Sequence, residues 1–207
     1  AIGEYSFVKL AEDADIEKAV NSLTQSRLNN TGQSCIGAKR FIVLDSIKEA
    51  FLSKLKAQFE AAQFADPMTS PALGAMASIT FRNELHEQVQ DSIQAGATLI
   101  CGGYIPQVNG AFYPATILSD VKKGMRAYHE EMFGPVATVI TAESLAEAIT
   151  IFNDTPFGLG GGIFTADTAL AKELAMKQLH SGSVAVNHCV SSDPRLPFGG
   201  IKESGYG

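Results

Sequence analysis

The sequence predicts an α/β fold with a largely parallel sheet and flanking helices. Short apolar runs with β-branched members, such as 41–44 and 183–186, are typical of buried strands. Amphipathic segments such as 78–95 separate these runs and carry apolar residues at helical spacing. Strands that alternate with helices of this length indicate βαβ units. No long polar or proline-rich linker interrupts the series, so residues 1–207 are expected to form a single domain.

Each predicted element rests on a local pattern. Residues 46–49, Ser-Ile-Lys-Glu, predict a capping box, after which Phe51, Leu55 and Phe59 recur at helical spacing. The other predicted elements are a helix over 78–95 closed by Gly96, strands over 97–101, 112–118 and 137–141, a helix from a second capping box at 144–147 to about 152, a strand over 162–165, a helix over 168–179 and a strand over 183–186.

Composition narrows the class of protein. The net charge is −6, and the sequence has no run of Lys or Arg, which argues against a nucleic acid or an anionic membrane as partner. The longest apolar stretches are shorter than the roughly 18 residues that cross a bilayer. Three cysteines cannot all pair, which favours a reducing, cytoplasmic compartment. No metal site is predicted.

Because the chain begins without Met and stops in a glycine-rich turn, we expect a domain cut from a longer polypeptide.

Two irregular segments contain residues suited to chemistry. Residues 29–37, Asn-Asn-Thr-Gly-Gln-Ser-Cys-Ile-Gly, place Cys35 among small and polar residues whose backbone N–H groups suit an oxyanion. Cys35 is therefore either a nucleophile or a small packed residue. In residues 130–136, Glu131 is either a solvated charge or an acceptor for sugar hydroxyls, and Phe133 is suited to packing against a flat ring.

Four collinear motifs resemble the aldehyde dehydrogenase superfamily. They are Gly-Gln-Ser-Cys at 32–35 with Lys-Arg at 39–40, Glu-Glu-Met-Phe-Gly-Pro at 130–135, Asn-Asp-Thr-Pro-Phe-Gly-Leu at 153–159, and Pro-Phe-Gly-Gly-Ile-Lys-Glu-Ser-Gly at 197–205. The resemblance implies an NAD- or NADP-dependent oxidation of an aldehyde in which Cys35 forms a thiohemiacetal and then a thioester. It also implies that Glu131 binds the nicotinamide ribose, that Phe133 packs near the nicotinamide and that Phe198 lines the aldehyde pocket.

Residues 33–40 and 189–198 look most like bacterial succinate-semialdehyde dehydrogenases. The second stretch corresponds to the family's aldehyde-anchoring loop, where Ser191, Ser192 and Arg195 would hold a substrate carboxylate through hydroxyl and guanidinium groups. The alternative for Arg195 is a solvated loop residue. The substrate expected from this resemblance is succinate semialdehyde.

The same resemblance identifies parts of the family's machinery that this sequence does not contain. The family's general-base glutamate, its upstream oxyanion asparagine, its dinucleotide-binding domain and its oligomerisation strand have no match here. We therefore expect the 207-residue chain to bind the cofactor poorly and to lack aldehyde oxidation alone, and we expect the parent enzyme to be a homo-oligomer. Two alternatives stay open: a cysteine hydrolase that pairs Cys35 with His188 or His129, and a non-catalytic interaction domain.

Overall fold

The sheet organises the part of the chain that the computed structural model describes, which is residues 5–9, 15–69 and 72–206. Its seven strands within those residues are β1 (Tyr5–Lys9), β2 (Ala38–Leu44), β3 (Thr98–Cys101), β4 (Thr116–Ser119), β5 (Val136–Ala142), β6 (Gly160–Phe164) and β7 (Ser183–Val186). They lie in the order β3-β4-β5-β2-β1-β6-β7. Only β3 runs antiparallel to its neighbour among these strands. The prediction of a largely parallel sheet is confirmed.

The helices cover both faces of the sheet. They are α1 (Ile16–Leu28), α2 (Lys48–Ala61), α3 (Ile79–Gln94), α4 (Arg126–His129), α5 (Leu145–Asn153) and α6 (Thr168–Lys177). Helices α1 and α2 share one apolar core with β2, whereas α3, α5 and α6 contribute to a second core on the other face. The molecule is thus a three-layer α/β/α arrangement, as expected for parallel strands that are buried on both sides.

Strand β2 divides the two cores because successive side chains of a strand point to opposite faces. Phe41 belongs to the core beneath α1 and α2, where its ring meets the edge of Phe51 at a centroid separation of 6.2 Å. Ile42 belongs to the opposite core, together with Ile140 of β5 and Phe152 of α5. Complete burial of side chains of this size contributes about 2 kcal/mol each to folding.

Of the two predicted capping boxes, the one at 144–147 has its serine cap, and the helix predicted over 78–95 also begins at a serine cap. The Ser78 hydroxyl accepts from the Phe81 amide, and the Ser144 hydroxyl accepts from the Glu147 amide. The capping box predicted at 46–49 is wrong. Residues Asp45–Ile47 form a 3-10 turn as the chain leaves β2, so α2 begins at Lys48 without a side-chain cap.

Other boundaries differ from the predictions for local reasons. Strand β4 begins at Thr116 rather than at residue 112, since Pro114 has no amide hydrogen to donate to a neighbouring strand. Gly96 follows the end of α3 by two residues, and its φ of +108° is a conformation that favours glycine. Helix α1 was not predicted, because polar residues interrupt its apolar face and few apolar side chains, such as Val20 and Leu23, are buried.

Two further properties of the described residues bear on function. No helix among them combines the length and the apolar character needed to cross a bilayer. Within the same residues, no group of three or more His, Cys, Asp or Glu side chains is arranged to hold a metal ion.

Asp120 links three elements where β4 ends. Its Oδ1 lies 2.6 Å from Nζ of Lys48 on α2, and its Oδ2 accepts from the Thr98 hydroxyl of β3 at 2.7 Å. These hydrogen bonds, first that from Lys48, hold the pKa of Asp120 below its ordinary value. The backbone of Asp120 has φ +56°, which Asp and Asn tolerate better than most residues.

We expect Asp120→Asn to lower the free energy of unfolding by about 1 kcal/mol at pH 7. This value is small for a hydrogen-bonded ion pair because the pair is partly exposed to solvent. Asn keeps the backbone conformation and removes the charge. Since the folded pKa is depressed, this stabilisation is present above about pH 4 and is lost as the pH falls through the folded pKa.

Urea unfolding at pH 7 and pH 3 measures the effect. The matched control is Glu17→Gln, which removes a more exposed ion pair to Lys54 and is expected to cost much less. The prediction would be contradicted if Asp120→Asn and the natural sequence differed in free energy of unfolding as much at pH 3 as at pH 7.

Candidate active site

Cys35 lies in a short loop that reverses the chain between α1 and β2. After α1 ends at Leu28, Asn30, Thr31 and Gly32 adopt successive left-handed conformations with φ of +51°, +54° and +73°. A turn then follows in which the Gly37 amide donates to the Ser34 carbonyl at 3.1 Å. Cys35 occupies the second position of this 34–37 turn, and its side chain is exposed. A reactant in solution therefore has access to the thiol.

Gly32 brings this loop into backbone contact with a second loop. A Cβ at Gly32 would lie 2.0 Å from the carbonyl oxygen of Gly134, far inside van der Waals contact. Together with its positive φ, this contact makes glycine necessary at position 32. The motifs at 32–35 and 130–135 thus meet backbone to backbone.

Hydrogen bonds to a third segment fix the other side of the cysteine loop. The Thr31 hydroxyl accepts from the Gly74 amide at 3.1 Å and lies 3.3 Å from the Gly74 carbonyl oxygen. The Ala77 amide donates to Oε1 of Gln33 at 2.8 Å. The loop is therefore held in place by backbone and side-chain contacts on both sides.

Lys39 joins the cysteine loop to Glu131. This residue at the start of β2 is 1% exposed, and its Nζ lies 3.0 Å from Oε1 of Glu131. The same ammonium donates to the carbonyls of Ser34 and Cys35 at 3.1 Å and to that of Gly37 at 3.3 Å. It also lies 5.9 Å from the ring centroid of Phe133. Cys35, Glu131 and Phe133 are therefore gathered around one buried cation.

A second buried cation lies beneath the same loop. Arg27 of α1 is fully buried and donates from Nη2 to the Gly32 carbonyl. Burial lowers the pKa of Arg27 to about 9, and the negative charge of Glu131 partly opposes this shift. Two cationic side chains and the Glu131 carboxylate therefore set the electrostatics under the loop.

The adjacent acids Glu130 and Glu131 have different environments. Arg126 donates to both oxygens of Glu130 at 2.8 and 2.9 Å, Gln88 donates to it as well, and these bonds, led by that from Arg126, lower the pKa of Glu130. Glu131 turns inward to Lys39, and only 8% of its side chain is exposed. Glu131 is thus not a solvated charge.

Glu131 and Phe133 line a cleft of about 440 Å³ between α3 and the loop that precedes β5. Gln33 of the cysteine loop lines the same cleft, opposite Phe81 and Leu85 of α3. The cleft offers a carboxylate, an amide and aromatic surfaces, a combination suited to a ligand with hydroxyl groups and a flat ring.

The segment that follows β7 brings other predicted residues to the same edge of the sheet. The Ile201 amide donates to the Gly158 carbonyl just before β6, so the segment ends near the amino ends of the strands. Ser191 lines a cavity of about 330 Å³ together with Ser34 and Gly37 of the cysteine loop. Ser191 also lines a second cavity, of about 620 Å³, together with Phe198.

Arg195 and Ser192 lie outside these cavity walls. The Arg195 side chain is 85% exposed, and its Nε and Nη2 donate to the two carboxylate oxygens of Asp193 at 2.9 and 2.6 Å. This pairing lowers the pKa of Asp193. Ser192 is exposed. The structure thus gathers Cys35, Glu131 and Phe133, whereas Arg195 is engaged by a neighbour two positions away.

The other two cysteines have environments unlike that of Cys35. Burial raises the pKa of Cys101 to about 11, and its Sγ lies 3.8 Å from the Ala115 carbonyl oxygen. Burial likewise raises the pKa of Cys189 to about 11, and its Sγ lies 3.5 Å from the Ser22 carbonyl oxygen. Both remain protonated thiols near neutral pH.

The hydrogen bonds of the histidine rings within the described residues do not involve the Cys35 thiol. Nδ1 of His86 bonds with the Tyr113 hydroxyl, and Nε2 of His129 accepts from the Gly124 amide. Nδ1 of His188 lies 2.6 Å from the Cys189 carbonyl oxygen. The cysteine–histidine contact that a hydrolase of this type needs is not formed here.

Sequence reasoning missed Lys39 and Arg27 as members of the site. Lys39 was noted only as part of a family motif. A charged residue at the start of a buried strand nevertheless indicates that an oppositely charged or hydrogen-bonding partner lies nearby. Arg27 carried a weaker signal, because an arginine near the end of a helix is common on protein surfaces. Its burial depends on the long-range packing of the cysteine loop.

Comparisons with known proteins show the family to which this chain is similar. The model of the aldehyde dehydrogenase family matches residues 3–207. A succinate-semialdehyde dehydrogenase (NADP+) of Deinococcus radiodurans is 44% identical over 194 residues, which are 93% of this chain and 40% of that protein. A succinate semialdehyde dehydrogenase (NAD(P)+) of Escherichia coli is 42% identical over 206 residues, 99% of this chain and 44% of that protein.

Solved structures of dehydrogenases are also similar to this chain. A succinic semialdehyde dehydrogenase from Streptococcus pyogenes in complex with NADP+ matches with a TM-score of 0.94 and 37% identity, over 99% of this chain and 45% of that chain. An aldehyde dehydrogenase from Mycobacterium tuberculosis complexed with NAD+ gives 0.92 and 31%, over 99% and 42%. The chain spans less than half the length of these relatives. It belongs to the aldehyde dehydrogenase family.

Proposed function

We propose that residues 1–207 form the cysteine-bearing catalytic domain of an NAD- or NADP-dependent aldehyde dehydrogenase that oxidises succinate semialdehyde to the carboxylic acid. The observation that carries the proposal is the position of Lys39, whose ammonium contacts the backbone of Cys35 and the carboxylate of Glu131. This contact supports the proposal because it links Cys35, the proposed nucleophile, to Glu131, the proposed nucleotide-binding acid, across about a hundred residues of sequence.

In the proposed reaction the thiolate of Cys35 attacks the aldehyde carbon. A C–S bond forms, and the carbonyl π electrons move to oxygen, where the Cys35 backbone N–H would receive the oxyanion. Loss of hydride from the same carbon re-forms the C=O bond as a thioester. Water then attacks the thioester carbon, the carboxylic acid leaves and the thiol is restored.

A nicotinamide cofactor, when bound, supplies the hydride acceptor. The residues of the cleft fit its nicotinamide riboside end. The Glu131 carboxylate is suited to accept hydrogen bonds from ribose hydroxyls, and Phe133 in the same cleft offers an aromatic surface near a flat ring. Relatives of this chain bear names that specify NADP+ or NAD(P)+, and the proposal includes both cofactors.

The aldehyde would bind on the opposite side of the cysteine loop. Phe198 and Ser191 line one cavity there, and Ser192 adds a hydroxyl on the same segment. Arg195 has five N–H donors and uses two side-chain donors on Asp193, which leaves three for a substrate carboxylate. Relatives named for succinate semialdehyde, a substrate with such a carboxylate, support this choice.

We expect Cys35→Ser to abolish acyl transfer to the protein. A thiolate displaces p-nitrophenolate from p-nitrophenyl acetate, so the natural chain should release about one equivalent rapidly and the variant should be at least about a hundredfold slower. Release is followed by absorbance at pH 7.5. The controls Cys101→Ser and Cys189→Ser should keep the burst because thiols of pKa about 11 are protonated at that pH. A burst that survives Cys35→Ser would contradict the proposed nucleophile.

We expect Arg195→Ala, in the protein expressed from the full reading frame around this sequence, to raise KM for succinate semialdehyde by about tenfold, the value of one charge-assisted hydrogen bond. The KM for butanal, which lacks the carboxylate, should change little. Lys177→Ala, which removes another exposed cation, serves as control. Equal effects of Arg195→Ala on both aldehydes would remove the proposed role.

We expect the 207-residue chain by itself to give no NADPH or NADH formation from succinate semialdehyde above the buffer rate. The sequence contains no glycine-rich strand–turn–helix fingerprint for a dinucleotide and no match to the family's general-base motif. Absorbance at 340 nm measures the product. Turnover at a rate typical of enzymes would show that these parts are not needed.

A further inference from the structure

The Lys39 ammonium contacts the 34–37 turn and the Glu131 carboxylate at the same time. At least four oxygen atoms lie within 3.3 Å of Nζ, three of them carbonyls of the 34–37 turn and the fourth Oε1 of Glu131. The three N–H donors of the ammonium match the three carbonyls, and Oε1 of Glu131 is an ion-pair partner that accepts no hydrogen bond. A change in the charge of the carboxylate therefore acts on the same ammonium that holds the turn.

The geometry of the turn depends on that cation. The carbonyls of Ser34, Cys35 and Gly37 converge on one point, and three dipoles with their negative ends together repel each other unless a positive charge lies between them. Cys35 itself belongs to this turn, so the ammonium lies close to the backbone of the residue that carries the thiol.

The charges around the turn oppose each other. Lys39 and Arg27 present positive charge from below, and Glu131 neutralises part of it through its contact with Lys39. Both partners of the ion pair are buried, at 1% and 8% exposure, so solvent screens their charges weakly. The balance of charge beneath the turn therefore depends on Glu131.

We propose that Lys39 is a positioning residue through which the charge on Glu131 controls the reactivity of Cys35. This inference rests on the proposed function and deepens it. A sugar diol that donates hydrogen bonds to the Glu131 carboxylate would weaken its hold on Lys39 and leave more of the ammonium's charge to the turn. Occupation of the cleft by a nucleotide ribose would then activate the thiol on the other side of the loop.

The test is the rate at which iodoacetamide alkylates each cysteine of the 207-residue chain, measured by mass spectrometry at pH 7.5. The thiolate displaces iodide and forms a C–S bond, and no cofactor takes part. We expect Lys39→Met to slow alkylation of Cys35 by at least about threefold, because the thiolate loses a nearby cation. We expect Glu131→Gln to accelerate it by about twofold or more, because the opposing charge is removed.

The opposite signs separate positioning from a merely structural role. Both substitutions break the same ion pair, so a structural role predicts the same direction of change for both. Lys39→Arg keeps the charge and should stay closer to the natural rate than Lys39→Met, and Lys54→Met, at an exposed ion pair, should have no effect. Cys101 and Cys189 report on global unfolding, since both are partly buried and should stay slow.

Each outcome decides the inference. Slower Cys35 alkylation in Glu131→Gln, an unchanged rate, or equal changes in both variants would overturn it. If Lys39→Met does not fold, the sign of the Glu131→Gln effect still decides. Failure of the proposed function has a different signature, the absence of a Cys35-dependent burst with p-nitrophenyl acetate, and this burst is measured on the natural chain.

Discussion

The buried ammonium of Lys39 is the interaction on which the candidate site depends. A charge taken out of water costs several kcal/mol unless it is paired and hydrogen-bonded, and here Glu131 and the carbonyls of the cysteine loop provide both. Lys39 belongs to β2, and β2 lies at the centre of the sheet, so the backbone that carries this cation is held rigidly. The cation thereby holds two loops together, namely the loops that precede the neighbouring strands β2 and β5.

The alternation of strands and helices was predictable from the sequence because the sheet is buried on both faces. A strand such as β2 then appears as a continuous apolar run, and Ser78 and Ser144 mark two helix starts through their hydroxyls. Helix α1 was harder to predict, since its stability comes from packing rather than from a clear apolar stripe. The wrong cap at 46–49 has the same origin: a local motif was replaced by a 3-10 turn that the tertiary path of the chain requires.

The site was predictable in part. The glycine-flanked Cys35 and the pair of acids before a Phe-Gly-Pro turn are local patterns, and their resemblance to a family linked them. The burial of Arg27 beneath the loop is not local, because it depends on contacts between distant segments. The general rule for parallel sheets directs attention to the carboxyl ends of the strands. Here Cys35 and Glu131 precede β2 and β5, so the cleft lies at the amino ends.

The contact between Gly32 and Gly134 has a consequence for engineering. Two backbones, rather than two exchangeable side chains, set the spacing between the cysteine loop and the Phe-Gly-Pro loop. Enlarging or trimming nearby residues cannot tune that spacing, and any side chain at position 32 would push the loops apart. Efforts to redirect this scaffold toward bulkier or differently charged compounds should therefore leave this junction untouched and vary residues 194–198, which are exposed.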